Sequence, residues 1–181
     1  MTRLAASILV LTAAGCGTRP DDHRPRATAR TPEQEALRAD LTDYISKAAY
    51  FQAVAAWNSF WHENLDITDR ENRRLVDGIR EGQLAVSERA YSDVVKRHGM
   101  GHQKLKDVDP ARAAKVDAFM ESAKGMARSV CRNAAAELAI EFGKRKDLVS
   151  VPPGLAAEYI RQSLEQVRAG FADLDAEYRR D

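Results

Sequence analysis

The residues whose types could do chemistry are few and scattered. His98-Gly99-Met100-Gly101-His102 places two imidazoles and a thioether within five positions of a glycine-rich turn. These are ligand types that suit copper, and the glycines could let His98, Met100 and His102 converge. The plainer reading is a helix C-terminus, with glycine just past its end and histidines near the negative pole of the dipole. Cys131 lies in an apolar stripe with no histidine near it in sequence to draw off its proton, so burial as a small hydrophobe is expected. Glu137 and Glu141 share a helix face, but no Glu-x-x-His pair completes a di-metal set. They are expected to reach solvent or a nearby arginine. His62, among aromatics, is expected to be a core histidine bonded to a carbonyl or a cross-helix polar group. Glycine-rich phosphate loops, Gly-x-Ser-x-Gly, His-Glu-x-x-His and haem-attachment motifs are all missing from the sequence. No cofactor is implied, and a non-enzymatic role is expected.

The aromatics carry more information. Tyr44, Tyr50, Phe51, Trp57, Phe60 and Trp61 crowd one segment. At 100° per residue, Tyr44 and Phe51 fall on one seam with Leu37, Leu41, Ala48 and Ala55. Tyr50, Val54, Trp57 and Trp61 form a second stripe about 120° away. Leu84, Tyr91 and Val95 make a similar off-seam stripe further on. Two readings are open: both stripes are core, or Tyr50, Trp57, Trp61, Leu84 and Tyr91 line a groove for a partner protein, since tryptophan and tyrosine dominate binding hot spots.

The elements that must position these residues are helices throughout. Thr31-Pro32-Glu33-Gln34 joins an N-cap, a proline in the first turn and a capping-box glutamine, opening a helix to about Asn64. Thr68-Asp69-Arg70-Glu71 starts a second, whose seam is Leu75, Ile79, Val86 and Ala90 and whose end is His98-Gly99. Asp109-Pro110 opens a third, with a stripe at Val116, Met120, Ala123, Ala127, Val130, Cys131, Ala134 and Leu138. Val151-Pro152-Pro153-Gly154 forces a turn into a fourth, with the heptad Ile160, Leu164, Val167, Phe171, Leu174, Tyr178. Long helices with short connections predict an all-α domain over 32–181, an antiparallel up-down four-helix bundle. Gly78 and Gly82 share a face of the second helix, where they either admit a close neighbour or only weaken it.

The N-terminus predicts location. Arg3 precedes an apolar run from Leu4 to Ala14, far short of the roughly 20 residues that span a bilayer. It ends in Ala13-Ala14-Gly15-Cys16. Here the chain resembles bacterial lipoprotein precursors, whose lipobox ends in Gly-Cys and whose cysteine becomes the lipidated N-terminus. Ala13 stands where that family usually has leucine, and cutting after Ala14 by ordinary signal peptidase is the alternative. The resemblance implies a signal peptide over 1–15 and a lipid on Cys16. Gly17, in place of an acidic residue, implies the periplasmic face of an outer membrane. Residues 16–31 hold two prolines, six charges and almost no large apolar group, as a flexible tether does.

Loss of Arg3 with the leader leaves 27 basic and 27 acidic residues. Without a basic excess, nucleic-acid binding is not expected. With Cys16 acylated, Cys131 has no disulfide partner. The sequence thus predicts a periplasm-facing lipoprotein, anchored to the membrane by its lipid, whose helices bind an envelope protein as an adaptor or assembly factor. The alternatives are an immunity or inhibitor lipoprotein against a periplasmic toxin or hydrolase, and a carrier of a small ligand or metal.

Overall fold

A computed structural model of the chain describes residues 29–65, 70–99, 105–145 and 150–180. The leader, Cys16, most of the tether, and Met100 and His102 lie outside them, as do residues 66–69 with the expected second capping box. The fold is all-α. Four long helices, α1 (Pro32–Asn64), α2 (Arg70–His98), α5 (Val116–Gly143) and α6 (Pro153–Arg179), are joined by two one-turn helices, α3 (Leu105–Val108) and α4 (Pro110–Ala113). No described helix is long and apolar enough to cross a membrane.

The helix starts follow local chemistry. Thr31 caps α1 as expected: its hydroxyl accepts the Gln34 N–H at 3.2 Å and its own N–H donates to Gln34 Oε1 at 2.9 Å. Asp109 caps α4 by accepting the Arg112 N–H at 3.0 Å. The helix begun at Pro110 does not run on, however. A turn at Ala114–Lys115 separates α4 from α5. Gly99, with φ of +75°, ends α2 in the left-handed region that a glycine adopts without strain.

Helix α1 is the hub. It packs on α2, α5 and α6, while α5 also packs on α6. Between Asp40 and Asn58 no residue of α1 is exposed. A helix that is surrounded needs apolar or small groups on every side, which is why two aromatic stripes occur on one segment. Polar links at the ends fix directions. Asn58 donates to the Val76 carbonyl, and Asp40 accepts from Arg97 and His98, so α1 and α2 run oppositely. Phe119 stacks on Tyr178 with ring centroids 4.3 Å apart, which sets the start of α5 against the end of α6. The α6 heptad faces inward as predicted, Leu174 being half-buried and the rest buried.

Helix α2 is the exception. Only Asn72, Val76, Ala90 and Val94 are buried, two near each end, and no residue from Asp77 to Arg89 is. Its predicted seam holds in part: Leu75 and Ile79 are half-buried, but Val86 is exposed. A β-carbon added at Gly78 or Gly82 would meet nothing within 4 Å, so neither glycine admits a close neighbour among the described residues.

Candidate functional site

The tryptophans belong to the core. Trp57 is 0 % and Trp61 1 % exposed, which selects the core reading for them and removes them from the partner-binding groove. Both lie on the face of α1 that meets α6. Their indole N–H groups donate to one acceptor, Ser163 Oγ, at 2.9 and 3.1 Å, and Ser163 donates its own proton to the Ile160 carbonyl at 2.8 Å. One hydroxyl has one proton and two lone pairs, and here all three are used. The serine satisfies two large amphipathic side chains that could not otherwise be buried without cost.

The remaining members of the predicted surface do reach solvent. Leu84 is 36 % and Tyr91 45 % exposed, and Val86 joins them at 45 %. Tyr91 leans on Tyr44, ring centroids 5.4 Å apart. Tyr50 is half-buried; its ring lies 5.1 Å from that of Phe171, and its hydroxyl accepts from Arg168 Nε at 3.3 Å. Between α2 and α6, which touch only lightly, runs a groove of about 410 Å³. Tyr50 contributes to its floor, Val86 and Gln83 to one wall, and Phe171 and Ala172 to the other, with Lys47, Arg168 and Asp175 beside them. Pattern reading found Tyr50, Leu84 and Tyr91. It missed Val86, which a helical wheel assigns to the seam.

His98 is committed to helix packing. Its Nε2 meets Asp40 Oδ2 at 2.7 Å, and Arg97 reaches both oxygens of the same carboxylate at 2.8 and 2.9 Å. The expected convergence with Met100 and His102 falls outside the described residues. Among those residues no group of three or more His, Cys, Asp or Glu is placed to hold a metal. Glu141 pairs with Lys144 and Arg145, which hold its carboxyl below the usual range. His62 is a correction. It sits at the surface, not in the core, and bonds across to Asp77 on α2 at 2.9 Å. Cys131 is fully buried, and burial pushes its thiol up to about 12, which leaves essentially no thiolate for nucleophilic work.

A charged cluster that the sequence gave no sign of occupies the end of the domain where the tether arrives. Asp109 Oδ2 accepts from Arg38 Nε at 2.7 Å and lies 3.8 Å from Arg112 Nε. Arg112 donates onward to Thr42 Oγ1 at 3.0 Å and to the Arg179 carbonyl at 3.2 Å. Burial alone would raise the Asp109 carboxyl. The Arg38 hydrogen bond, the Arg112 N–H and the two guanidinium charges outweigh it and hold the group below the usual carboxylate range. Arg30 donates to the Val108 carbonyl at 2.8 Å and so ties the incoming chain to the same corner. The five cations around this carboxylate come from positions 30 to 180, and none lies in a local motif.

No family model, curated protein or solved structure matches the chain.

Proposed function

We propose that the chain is a lipid-anchored, periplasm-facing protein whose helical domain binds another envelope protein as an adaptor or assembly factor. The observation that carries the reading is the middle of α2. Between Val76 and Ala90 it buries nothing, yet it carries Val86 in the open on the wall of a groove floored by Tyr50, while Leu84 is exposed about 160° away around the helix. Val86 thus continues the apolar surface of Tyr50 and Phe171 out to solvent, and an exposed apolar surface of this kind is the usual mark of an interaction site. The long helices are read as two antiparallel hairpins, α1–α2 and α5–α6, laid together as an up-down four-helix bundle with its α2–α6 side ajar. The occupant that fits this opening is an amphipathic helix of the partner, with an apolar stripe against Tyr50, Val86 and Phe171. Lys47 on α1 and the α6 pair Arg168 and Asp175 put both signs of charge along the groove, which favours a helix with charges of both signs along its edges.

Anchoring rests on the lipobox-like Ala13-Ala14-Gly15-Cys16 and the tether-like composition of residues 16–31. It puts the domain within reach of envelope partners and outside the cytosol.

The test is affinity capture of the full-length chain from its own envelope, comparing wild type with Leu84→Glu/Val86→Glu and with Tyr91→Ala. The Leu84→Glu/Val86→Glu chain should keep its stability within about 0.5 kcal/mol, and Tyr91→Ala should lose about 1 kcal/mol with its Tyr44 ring contact, while the co-purifying protein is lost from the first. If the same protein is recovered undiminished from the folded Leu84→Glu/Val86→Glu chain, α2 is not the docking surface. In parallel, Cys16→Ser should abolish acyl-chain incorporation and release the chain from the membrane fraction. Membrane retention of that variant would remove the anchoring half of the reading.

A further inference from the structure

We propose that the basic cavity at the tether end of the domain binds a phosphate group. The cavity, about 330 Å³, is lined by Arg30, Arg38, Arg112, Lys115 and Arg180 around the single carboxylate of Asp109. The volume exceeds what orthophosphate needs and leaves room for a group esterified to it.

The charge balance there is what calls for an anion. In the chain as a whole, basic and acidic residues nearly cancel, 28 against 27. Here five cations face Asp109, with Glu35 on the rim 3.4 Å from Arg30 and 3.6 Å from Arg38. Glu177 lies in the adjoining hollow, which shares Lys115 with this cavity, and Asp43 and Asp175 are taken up by Arg179. Among the described residues, five basic side chains therefore stand against three carboxylates, Asp109, Glu35 and Glu177. Guanidinium groups match phosphate oxygens in shape as well as sign, and a partly enclosed, low-dielectric setting strengthens the attraction.

The division of labour among the cations is also clear. Arg38 and Arg112 are fixed by Asp109, Thr42 and the Arg179 carbonyl, so they supply a preorganised positive field. Lys115 and Arg180 are exposed at the rim and are the side chains that would close on a ligand. Tyr178, which lines the adjoining hollow, has a buried hydroxyl with no hydrogen-bond partner among the described residues; Arg112 lies over its ring at 5.8 Å. That hydroxyl is a donor still to be used. Arg30 begins the described domain at this corner, so the cavity sits where the tether would lead toward a membrane. The phosphate is therefore either that of a lipid headgroup or a soluble one, and the chemistry of recognition is the same for both.

The experiment uses the full chain as Cys16→Ser, so that acylation plays no part. Thermal unfolding is followed with inorganic phosphate against chloride at matched ionic strength. Co-sedimentation is measured with phosphatidylglycerol vesicles against phosphatidylcholine vesicles. A phosphate-specific rise in the unfolding temperature, or selective sedimentation with the anionic vesicles, supports the site, and the stronger arm identifies the source. Lys115→Gln/Arg180→Gln should weaken that binding about tenfold, and Arg128→Gln/Arg132→Gln, which removes equal charge elsewhere on α5, should not. Circular dichroism confirms that each variant is folded. No response above chloride and no preference for anionic vesicles, or equal weakening by both double variants, overturns the proposal. Its failure leaves the α2 docking surface untouched, because the two sites share no residue.

Discussion

Replacing Ser163 by alanine removes one oxygen from the molecule and strands two indoles. In the wild type, Ser163 Oγ is the acceptor for both Trp57 Nε1 and Trp61 Nε1, and all three side chains are buried. After the substitution each N–H faces apolar neighbours with no acceptor in reach. A stranded buried donor costs about 1–3 kcal/mol. The two share one site and can relax together, so the expected loss is about 3 kcal/mol rather than the full sum. For a domain of this size that corresponds to a fall in unfolding temperature of roughly 6–12 °C. The chain has only two tryptophans, so its tryptophan emission reports on this cluster alone. Urea unfolding followed by that emission gives the free energy, and the native spectrum should shift as the indoles lose their acceptor. A double-mutant cycle with Trp57→Phe should show positive coupling, because the stranded donor is then absent. A loss below about 0.5 kcal/mol with an unchanged native spectrum would refute the shared-acceptor arrangement and reopen Trp57 and Trp61 as surface groups.

Asp109→Asn should cost about 3–5 kcal/mol near neutral pH by leaving Arg38 and Arg112 without their buried counter-charge. Because the folded-state carboxyl is held low, its contribution is complete above the unfolded carboxyl range and is lost as pH falls through the folded value. Wild-type stability should thus drop below about pH 4, and Asp109→Asn should lack that component in acid-titrated urea curves. In the Cys16→Ser chain Cys131 is the only thiol, and it should resist a disulfide reagent near neutral pH until denaturant opens the core; rapid labelling of the native protein would contradict its burial. Gly78→Ala and Gly82→Ala should each stabilise by up to about 1 kcal/mol in urea unfolding, since α2 is free of neighbours there, and a loss would reveal a contact the chain does not show.

What the sequence revealed was what neighbouring residues decide among themselves. The capping box at Thr31, the cap at Asp109 and the α6 heptad are local, and each element starts or faces as the pattern says. Periodicity also found two stripes on α1. It could not say how many helices α1 would meet, and that number decides whether Trp57 and Trp61 are core or surface. Helix α3 is four residues long, too short to show a period, and the Ala114–Lys115 turn that parts α4 from α5 carries neither glycine nor proline. His98 looked like a ligand because its short-range neighbours are His102 and Met100, whereas its partner Asp40 lies 58 positions away. The basic cavity was hidden by averaging: its cations come from four separate segments of a chain whose total charge nearly cancels.

The way α2 is fastened bears on how it can serve as a docking surface. One end is held by the Asp40 carboxylate through Arg97 and His98. The other is held by Asn58 to the Val76 carbonyl, His62 to Asp77, and Asn72 to the Pro153 carbonyl. The tryptophan–Ser163 hydrogen bonds join α1 to α6 and the Phe119–Tyr178 stack joins α5 to α6, and no α2 residue takes part in either. A partner helix laid along the middle of α2 therefore adds apolar contact without breaking a core hydrogen bond, and the end clasps keep the groove from collapsing in its absence. This separation gives the docking proposal a physical signature. Substitutions at Leu84 and Val86 should change binding with little effect on stability, and substitutions at Ser163 should do the reverse.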